Sequence, residues 1–362
     1  MRICLIIPPS PFLLDERVFV QLGILKIASA LEQQNYTVDM VDLSGVENYT
    51  DVLTDYVKRK NSADIFGVTA TTPQVPYAVR ISQHIKTLLP RNQSKVILGG
   101  PHVTLMHTAA KREAKKNLVG SDRATKDIEA LKGFFDVLVC GDGEIAIFDA
   151  IHEDIKIIDA DIAKSKYFLS HKQFSELPPP ARHLVDMSSY KYFIEGEPAL
   201  SLIAQLGCPF HCTFCSGRNS PFLRKIRLRD TESVVNEVEM LYLTYGVKGF
   251  MFYDDELNVN KNMVPMMNRI CDLQEKHGVD FKLRGFVKAE LFNDEQADAM
   301  YRAGFRWLLT GFESGDPTIL SNIKKIAKRE DNTRCVEIAK KHNLKVKALM
   351  SIGHAGENIQ SV

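Results

Sequence analysis

The sequence of 362 residues lacks any apolar run approaching the ~20 residues needed to span a bilayer. Its opening, Met1-Arg2-Ile3-Cys4-Leu5-Ile6-Ile7-Pro8-Pro9, is apolar but short and stops at prolines. It reads as a buried strand rather than a signal peptide, so a soluble, cytoplasmic protein with no membrane span is expected. A charge excess is also missing: 46 Lys and Arg against 45 Asp and Glu leave a formal net charge of +1. Such a balance gives no reason to expect a nucleic-acid or acidic-membrane partner. Internal repeats and low-complexity tracts are absent. So is a disulfide pattern, because the seven cysteines are odd in number, with Cys4, Cys140, Cys271 and Cys335 scattered. The other three fall within eight positions, which fits a reducing compartment and one metal or cluster site. What remains is an ordinary globular composition, 45% apolar and 25% charged. At about 100–200 residues per domain, the length allows one to three domains.

The first 160 residues alternate strand and helix patterns. Strands are expected at 2–7, 37–41, 64–68, 95–98 and 136–139, with helices at 19–34, 51–59 and 77–89 between them. Alternation of this kind predicts an α/β fold with a doubly wound, Rossmann-like parallel sheet. Turn-forming residues gather at strand C-termini, where such sheets bind ligands. The charged stretch 107–132 reads as a helix with a lengthened loop, and its run Lys111 to Lys116 as a solvated face. Leu177-Pro178-Pro179-Pro180 marks a stiff connector, so 161–195 is expected to link 1–160 to a second domain over 196–362. There a second series places strands at 199–205, 249–253, 281–286, 307–310 and 345–352. Helices are expected at 231–243, 262–277, 294–303 and 332–342. A full (β/α)₈ barrel takes ~200–250 residues. The series therefore predicts a partial barrel, truncated at its C-terminus or minimal.

The central motif is Gly207-Cys208-Pro209-Phe210-His211-Cys212-Thr213-Phe214-Cys215-Ser216. Three thiolates in CxxxCxxC spacing can each reach one iron of a cubane [4Fe–4S] cluster, leaving the fourth iron open for a substrate. The alternative is a structural zinc site with His211 as fourth ligand. Zinc knots usually pair two such half-sites, and the second is missing here.

On these residues the chain resembles the radical S-adenosylmethionine (SAM) superfamily. The resemblance implies a cluster on Cys208, Cys212 and Cys215, with SAM chelating the open iron. It places Phe214 beside the adenine. It also gives SAM contacts to Tyr253, Asp254 and Asp255 of Tyr253-Asp254-Asp255-Glu256, to Glu313 and Ser314 of Gly311-Phe312-Glu313-Ser314-Gly315, and to Gly353 of Ser351-Ile352-Gly353-His354-Ala355-Gly356-Glu357. Relatives often read Gly-Leu-Pro-Gly-Glu at the last segment, so His354 and Ala355 depart from the pattern. The plainer readings are a solvated turn at 254–256 and a capping role for Glu313. All three segments fall at strand C-termini, the active face of this architecture.

The domain before the cysteine loop resembles the cobalamin-binding domain of cobalamin-dependent radical SAM enzymes. The resemblance rests on Pro8-Pro9, Gln21-Leu22-Gly23, Gly99-Gly100-Pro101-His102-Val103-Thr104, Gly141-Asp142-Gly143-Glu144 and the connector Leu177 to Arg182. It implies cobalamin contacts at Pro8, Thr69, Thr71, Thr72, Gly99, Gly100, His102, Val103, Thr104, Gly141, Gly143 and Glu144. The glycines are expected to allow close backbone approach of the corrin, and the helix starts after Gly100 and Gly143 to offer N–H groups. The alternative is ordinary αβ packing, or another nucleotide. No Asp-x-His-x-x-Gly motif is present, so no histidine ligand to cobalt is expected, from either His84 or His102.

The implied activity is methyl transfer to an unactivated carbon or phosphorus centre of a small molecule, through a 5′-deoxyadenosyl radical and methylcobalamin. An external electron donor such as flavodoxin or ferredoxin would supply the electron. Cyclisation or rearrangement on the same cofactors is the nearest alternative, and a non-catalytic cobalamin or redox sensor a further one. A methylthiotransferase would need three more cluster cysteines in the first domain, where only Cys4 and Cys140 occur.

Overall fold

The computed structural model describes residues 1–59, 62–89, 94–116 and 122–361. Positions 117–121 of the charged stretch, and Val362, lie outside the described residues. The chain forms two compact units. The first comprises Met1–Leu169, Leu177–Tyr190 and Asn219–Phe222; the second takes Ser170–Glu176, Lys191–Arg218 and the chain from Leu223 on.

In the first unit the order is β1 (Arg2–Ile7), α1 (Leu22–Gln33), β2 (Thr37–Asp42), α2 (Tyr49–Val57), β3 (Ile65–Thr69), α3 (Val75–Leu88), β4 (Lys95–Gly99), α4 (Pro101–Lys116), α5 (Arg123–Phe134), β5 (Val137–Gly141), α6 (Gly143–His152) and β6 (Ile157–Ala160). All six strands are parallel, in the order β2-β1-β3-β4-β5-β6. The order reverses between β1 and β3, and the crevice at their C-terminal ends is where open α/β sheets take ligands. Side chains of β1 alternate between two cores. Cys4 and Ile6 pack with Phe66, Leu98 and Ile81 on one face, and Ile3, Leu5 and Ile7 with Ile24, Ile147 and Ala150 on the other. Burial on both faces explains why this strand reads as a continuous apolar run.

The stretch 107–132 contributes two helices, α4 and α5, rather than one. Strand β6 was not expected: Ile157-Ile158-Asp159-Ala160 is short and carries a charge. Segment 161–195 divides between the units. Its proline run lies against α1, where Ala181 N–H donates to the Leu25 carbonyl (3.0 Å) and Lys26 Nζ to that of Pro178 (3.2 Å).

The second unit holds α7 (His171–Glu176), β7 (Phe193–Ile194), β8 (Glu197–Leu202), the ribbon β9 (Gln205–Leu206) and β10 (Arg227–Leu228), with α8 (Pro221–Arg224) divided equally between the two units. Then follow α9 (Thr231–Tyr245), β11 (Gly249–Phe252), α10 (Met263–His277), β12 (Lys282–Phe286), α11 (Asp294–Ala303), β13 (Phe305–Glu313), α12 (Pro317–Asn322), α13 (Arg329–Lys341) and β14 (Lys345–Met350). Strands β8, β11, β12, β13 and β14 run parallel as a partial barrel, and β7 pairs antiparallel to β8. Phe250, Phe252, Leu283, Phe305 and Leu308 are fully buried and supply the core of this unit. Strand β14 is the edge of the sheet and mostly exposed.

Candidate active site and cofactor loops

The cysteine loop leaves β9 at Gly207. Its φ is +88°, and a Cβ there would run into the Lys225 carbonyl, so only glycine lets the ribbon close beneath the loop. Cys208 N–H donates to the Leu223 carbonyl (3.0 Å), Thr213 N–H to that of Ile323 (2.8 Å) and Cys215 N–H to that of Cys212 (3.2 Å). Arg224 binds the loop from one side. Its guanidinium donates to the carbonyls of Pro209 and Phe210 and to His211 Nδ1. A guanidinium cannot accept, so Nδ1 must use its lone pair there, and in the neutral ring Nε2 then carries the proton. His211 thus has no nitrogen left for a metal, which removes the fourth ligand of the zinc alternative. Among the described residues no three His, Cys, Asp or Glu side chains gather as around a single metal ion. A cubane makes no such demand, since each thiolate binds a separate corner iron. Cys215 is exposed and Cys208 and Cys212 are half-buried, so all three thiols can be reached.

Burial pushes the Cys208 thiol up to about 11 and also raises Cys212, where Lys325 and Lys288 oppose the shift. Cys208 and Cys212 are therefore neutral thiols at pH 7, and taking up a cluster must release their protons. Burial also pushes the Glu256 carboxyl up to about 7 against Lys288 and Lys325. Lys288 sits 4.1 Å from the Phe210 ring centroid and pairs with Glu290 (2.8 Å), both largely buried. Asn258 holds its backbone from both sides, accepting its N–H (2.8 Å) and donating to its carbonyl (3.0 Å). Lys325 pairs with Glu313 (3.3 Å). Sequence reading missed Glu256, Lys288, Glu290 and Lys325 as site residues. The available signal was position alone, since Lys288 and Glu290 follow the C-terminus of β12.

The residues expected to meet SAM are placed unequally. Phe214 is 44% exposed beside the loop, and Tyr253 and Asp255 are exposed at the end of β11. Asp254 is buried instead. Its two oxygens accept the Ala204 N–H at 3.2 and 3.3 Å, fixing the chain that enters the cysteine loop. Burial pushes its carboxyl up to about 7, opposed by backbone N–H groups of Ala204 and Gln205. Glu313 adopts φ +64°, and its carboxylate takes Lys325 and Ser351 rather than capping a helix. Ser314 Oγ accepts the Asp316 N–H (3.1 Å), and Gly353 sits at φ +94° after β14.

In the first unit the expected cobalamin residues cluster at strand ends but are heavily engaged with one another. Gln74 Nε2 donates to the Pro8 carbonyl (2.9 Å) and Gln74 Oε1 accepts from Thr71 N–H and Oγ1, which links the loops after β1 and β3 across the switch point. The glycines serve internal packing. A Cβ at Gly100, φ +101°, would lie 2.7 Å from Thr69 Oγ1, and one at Gly143 would lie 2.7 Å from Ile27 Cδ1. Gly99 is open, with nothing nearer than the Val139 carbonyl at 3.9 Å. Thr104 Oγ1 joins the Gly100 carbonyl to the Gly141 N–H, at 2.9 Å each, and Val103 is fully buried. At the start of α4, His102 N–H goes to the Ala70 carbonyl (3.1 Å). Glu144 lies in the first turn of α6.

His102 is buried with both ring nitrogens occupied: Nδ1 meets Thr72 Oγ1 at 3.1 Å and Nε2 meets Asp127 at 2.9 Å. His84 Nε2 meets Thr54 Oγ1 at 2.7 Å. Replacing His102 by alanine is therefore expected to cost about 1–3 kcal/mol of stability. The visible spectrum of bound hydroxocobalamin should stay unchanged; a shifted cobalt band would mean that His102 is a ligand. Cys4 and Cys140 are fully buried in the sheet, and burial raises both thiols, which suits core packing rather than a second cluster.

A doubly wound sheet followed by a partial barrel with three accessible cysteines on its first long loop defines a class, an αβ cofactor domain joined to a cluster-bearing barrel. Residues 16–125 match the family model for the B12 binding domain, and residues 202–362 that for the radical SAM superfamily. The chain belongs to the cobalamin-dependent radical SAM enzymes, whose cofactors are a [4Fe–4S] cluster, SAM and cobalamin. It is 26% identical to the uncharacterized methyltransferase PH0819 of Pyrococcus horikoshii, over 100% of this chain and 76% of that one. It is 24% identical to the anaerobic magnesium-protoporphyrin IX monomethyl ester cyclase of Rubrivivax gelatinosus, over 93% of this chain and 59% of that one. The fold is shared with the radical SAM methyltransferase TsrM from Kitasatospora setae, solved with cobalamin and a [4Fe–4S] cluster bound. The TM-score is 0.72 at 18% identity, over 99% of this chain and 68% of that one. Among the described residues no helix is long and apolar enough to cross a membrane.

Proposed function

We propose that the chain is a methyltransferase acting on an unactivated carbon or phosphorus centre of a small molecule. The observation that carries this reading is the coexistence of a cluster loop with three reachable thiols and a doubly wound B12-type domain in one chain. When bound, the cluster supplies the electron that cleaves SAM, and the corrin carries the methyl group. The protein's part is to position and to exclude water. Cys208, Cys212 and Cys215 hold the cluster. Phe214, Tyr253, Asp255, Glu313 and Gly353 surround SAM, with Asp254 and Ser314 shaping the loops beneath. Lys288 and Lys325 oppose the effect of burial at Cys212 and so favour its thiolate. The loops at Pro8, Thr69–Thr72, Gly99–Thr104 and Gly141–Glu144 would seat the corrin, while both ring nitrogens of His102 are taken by Thr72 and Asp127. The electron comes from an external flavodoxin or ferredoxin.

The test is anaerobic incubation of reconstituted, cobalamin-loaded protein with reductant and methyl-deuterated SAM, read by mass spectrometry. The expected result is transfer of the labelled methyl to the corrin, together with 5′-deoxyadenosine. An unlabelled corrin while 5′-deoxyadenosine accumulates would replace methyl transfer by cyclisation or rearrangement, the chemistry that the likeness to the cyclase favours. Neither product would leave a non-catalytic sensor.

A further inference from the structure

His354 stands where relatives often carry leucine, and the structure puts it in a specific place. Its ring lies 5.4 Å from that of Phe214, inclined at 56°, so the two rings pack against each other beside the cluster loop. His354 Nε2 is 2.7 Å from Ser351 Oγ, and Ser351 Oγ is 3.1 Å from Glu313 Oε2. Glu313 is held in turn by Lys325 at 3.3 Å. The backbone is pinned as well, since the Glu357 carboxylate accepts the N–H groups of Gly353 (2.5 Å) and His354 (2.9 Å).

This chain of contacts fixes the tautomer. Ser351 has one hydroxyl proton, and a carboxylate salt-bridged to lysine can only accept. Both contacts are hydrogen bonds only if Ser351 donates to Glu313 and accepts from His354 Nε2–H. In the neutral ring the lone pair then lies on Nδ1, which has no partner among the described residues. An acceptor beside an exposed aromatic ring can recognise a flat ligand that stacks on the ring and offers an N–H donor on its rim.

We propose that His354 is a specificity residue for SAM: its Nδ1 accepts a hydrogen bond from the 6-amino group of adenine, and Ser351 and Glu313 act as positioning residues that hold the tautomer. This rests on the reading above that Phe214 flanks the adenine. A leucine at this position offers no such acceptor, so the discrimination would belong to this chain's own sequence.

The experiment is equilibrium binding of SAM and of S-inosylmethionine, which carries a 6-oxo group, to the cluster-reconstituted full chain. It is read by equilibrium dialysis and by the change in the EPR signal of the reduced cluster. The unsubstituted protein should favour SAM about tenfold, the worth of one hydrogen bond and its mismatch. His354→Phe keeps the ring and removes the acceptor; it should weaken SAM by about tenfold, abolish the preference and leave the iron content unchanged. Ser351→Ala should lose part of the preference by freeing the tautomer. Equal binding of the two ligands to the unsubstituted protein, or a preference that survives His354→Phe, overturns the role of His354 while leaving the SAM site standing. No SAM-dependent change in the EPR signal of the unsubstituted protein overturns the site reading and this inference together.

Discussion

Anaerobic reconstitution is expected to load about four irons per chain, and the triple change Cys208→Ala, Cys212→Ala, Cys215→Ala to remove all of them with all SAM cleavage. The loss should be complete because the loop has no substitute ligand. His211 spends its Nδ1 on Arg224, and Cys4 and Cys140 are sealed in the sheet of the first unit. The fold should survive. The loop is anchored by backbone hydrogen bonds at Cys208, Thr213 and Cys215 and by Arg224, and none of these contacts uses a sulfur atom. Hydroxocobalamin binding to the triple variant is then the internal control, because the first unit is built without these cysteines. Iron–sulfur absorbance retained by the triple variant would refute the ligand assignment. Loss of corrin binding alongside the iron would instead mean that the variant had misfolded.

The parallel sheets were legible because buried parallel strands carry continuous apolar runs, and every expected strand is present within a few residues of its predicted bounds. Pieces with no such run escaped. Strand β6 is four residues long, β7 is a two-residue hairpin arm against β8, and β9 and β10 are two-residue strands whose pairing spans the whole cysteine loop. The cysteine loop was legible because the spacing of its ligands is itself the chemistry. The surrounding charges were not. Lys325 and Glu313 are separated along the chain by α12, and the Lys288–Glu290 pair gives no motif; only the fold shows that these side chains are buried beside the loop. The glycines of the first unit say less than they suggest. A Cβ on Gly100 or Gly143 would meet the protein's own atoms, so each is already required by internal packing. A glycine in a sequence announces a close approach without saying to what. Asp254 teaches the same about carboxylates at strand ends, because its oxygens face a backbone N–H rather than an open site.

The second large effect is expected at Glu237. In α9, its Oε2 lies 2.5 Å from Arg229 Nη1, and both side chains are almost completely buried. Arg229 also donates to the Ile203 carbonyl (2.9 Å) and the Ser233 carbonyl (2.9 Å), and its N–H to the carbonyl of Ala204 (2.9 Å). The pair therefore stands behind Ile203 and Ala204, the two residues that lead from β8 into the ribbon and the cysteine loop. Glu237→Ala would leave a guanidinium buried without its counter-charge, a change that typically costs about 3–5 kcal/mol. Against a total stability of roughly 5–15 kcal/mol, that is a large share. Calorimetry should show a markedly lower melting transition. The double change Arg229→Met, Glu237→Leu separates charge from packing, since replacing both partners by apolar groups of similar volume is often neutral or better. It should restore most of the melting temperature. Cluster retention should not return with it, because methionine cannot donate to the Ile203 carbonyl and the entry to the loop loses that tie. A double variant that melts as low as Glu237→Ala would show that packing around α9, and not the stranded charge, sets the cost. One that regains both stability and iron would show that the tie to Ile203 is dispensable for holding the loop.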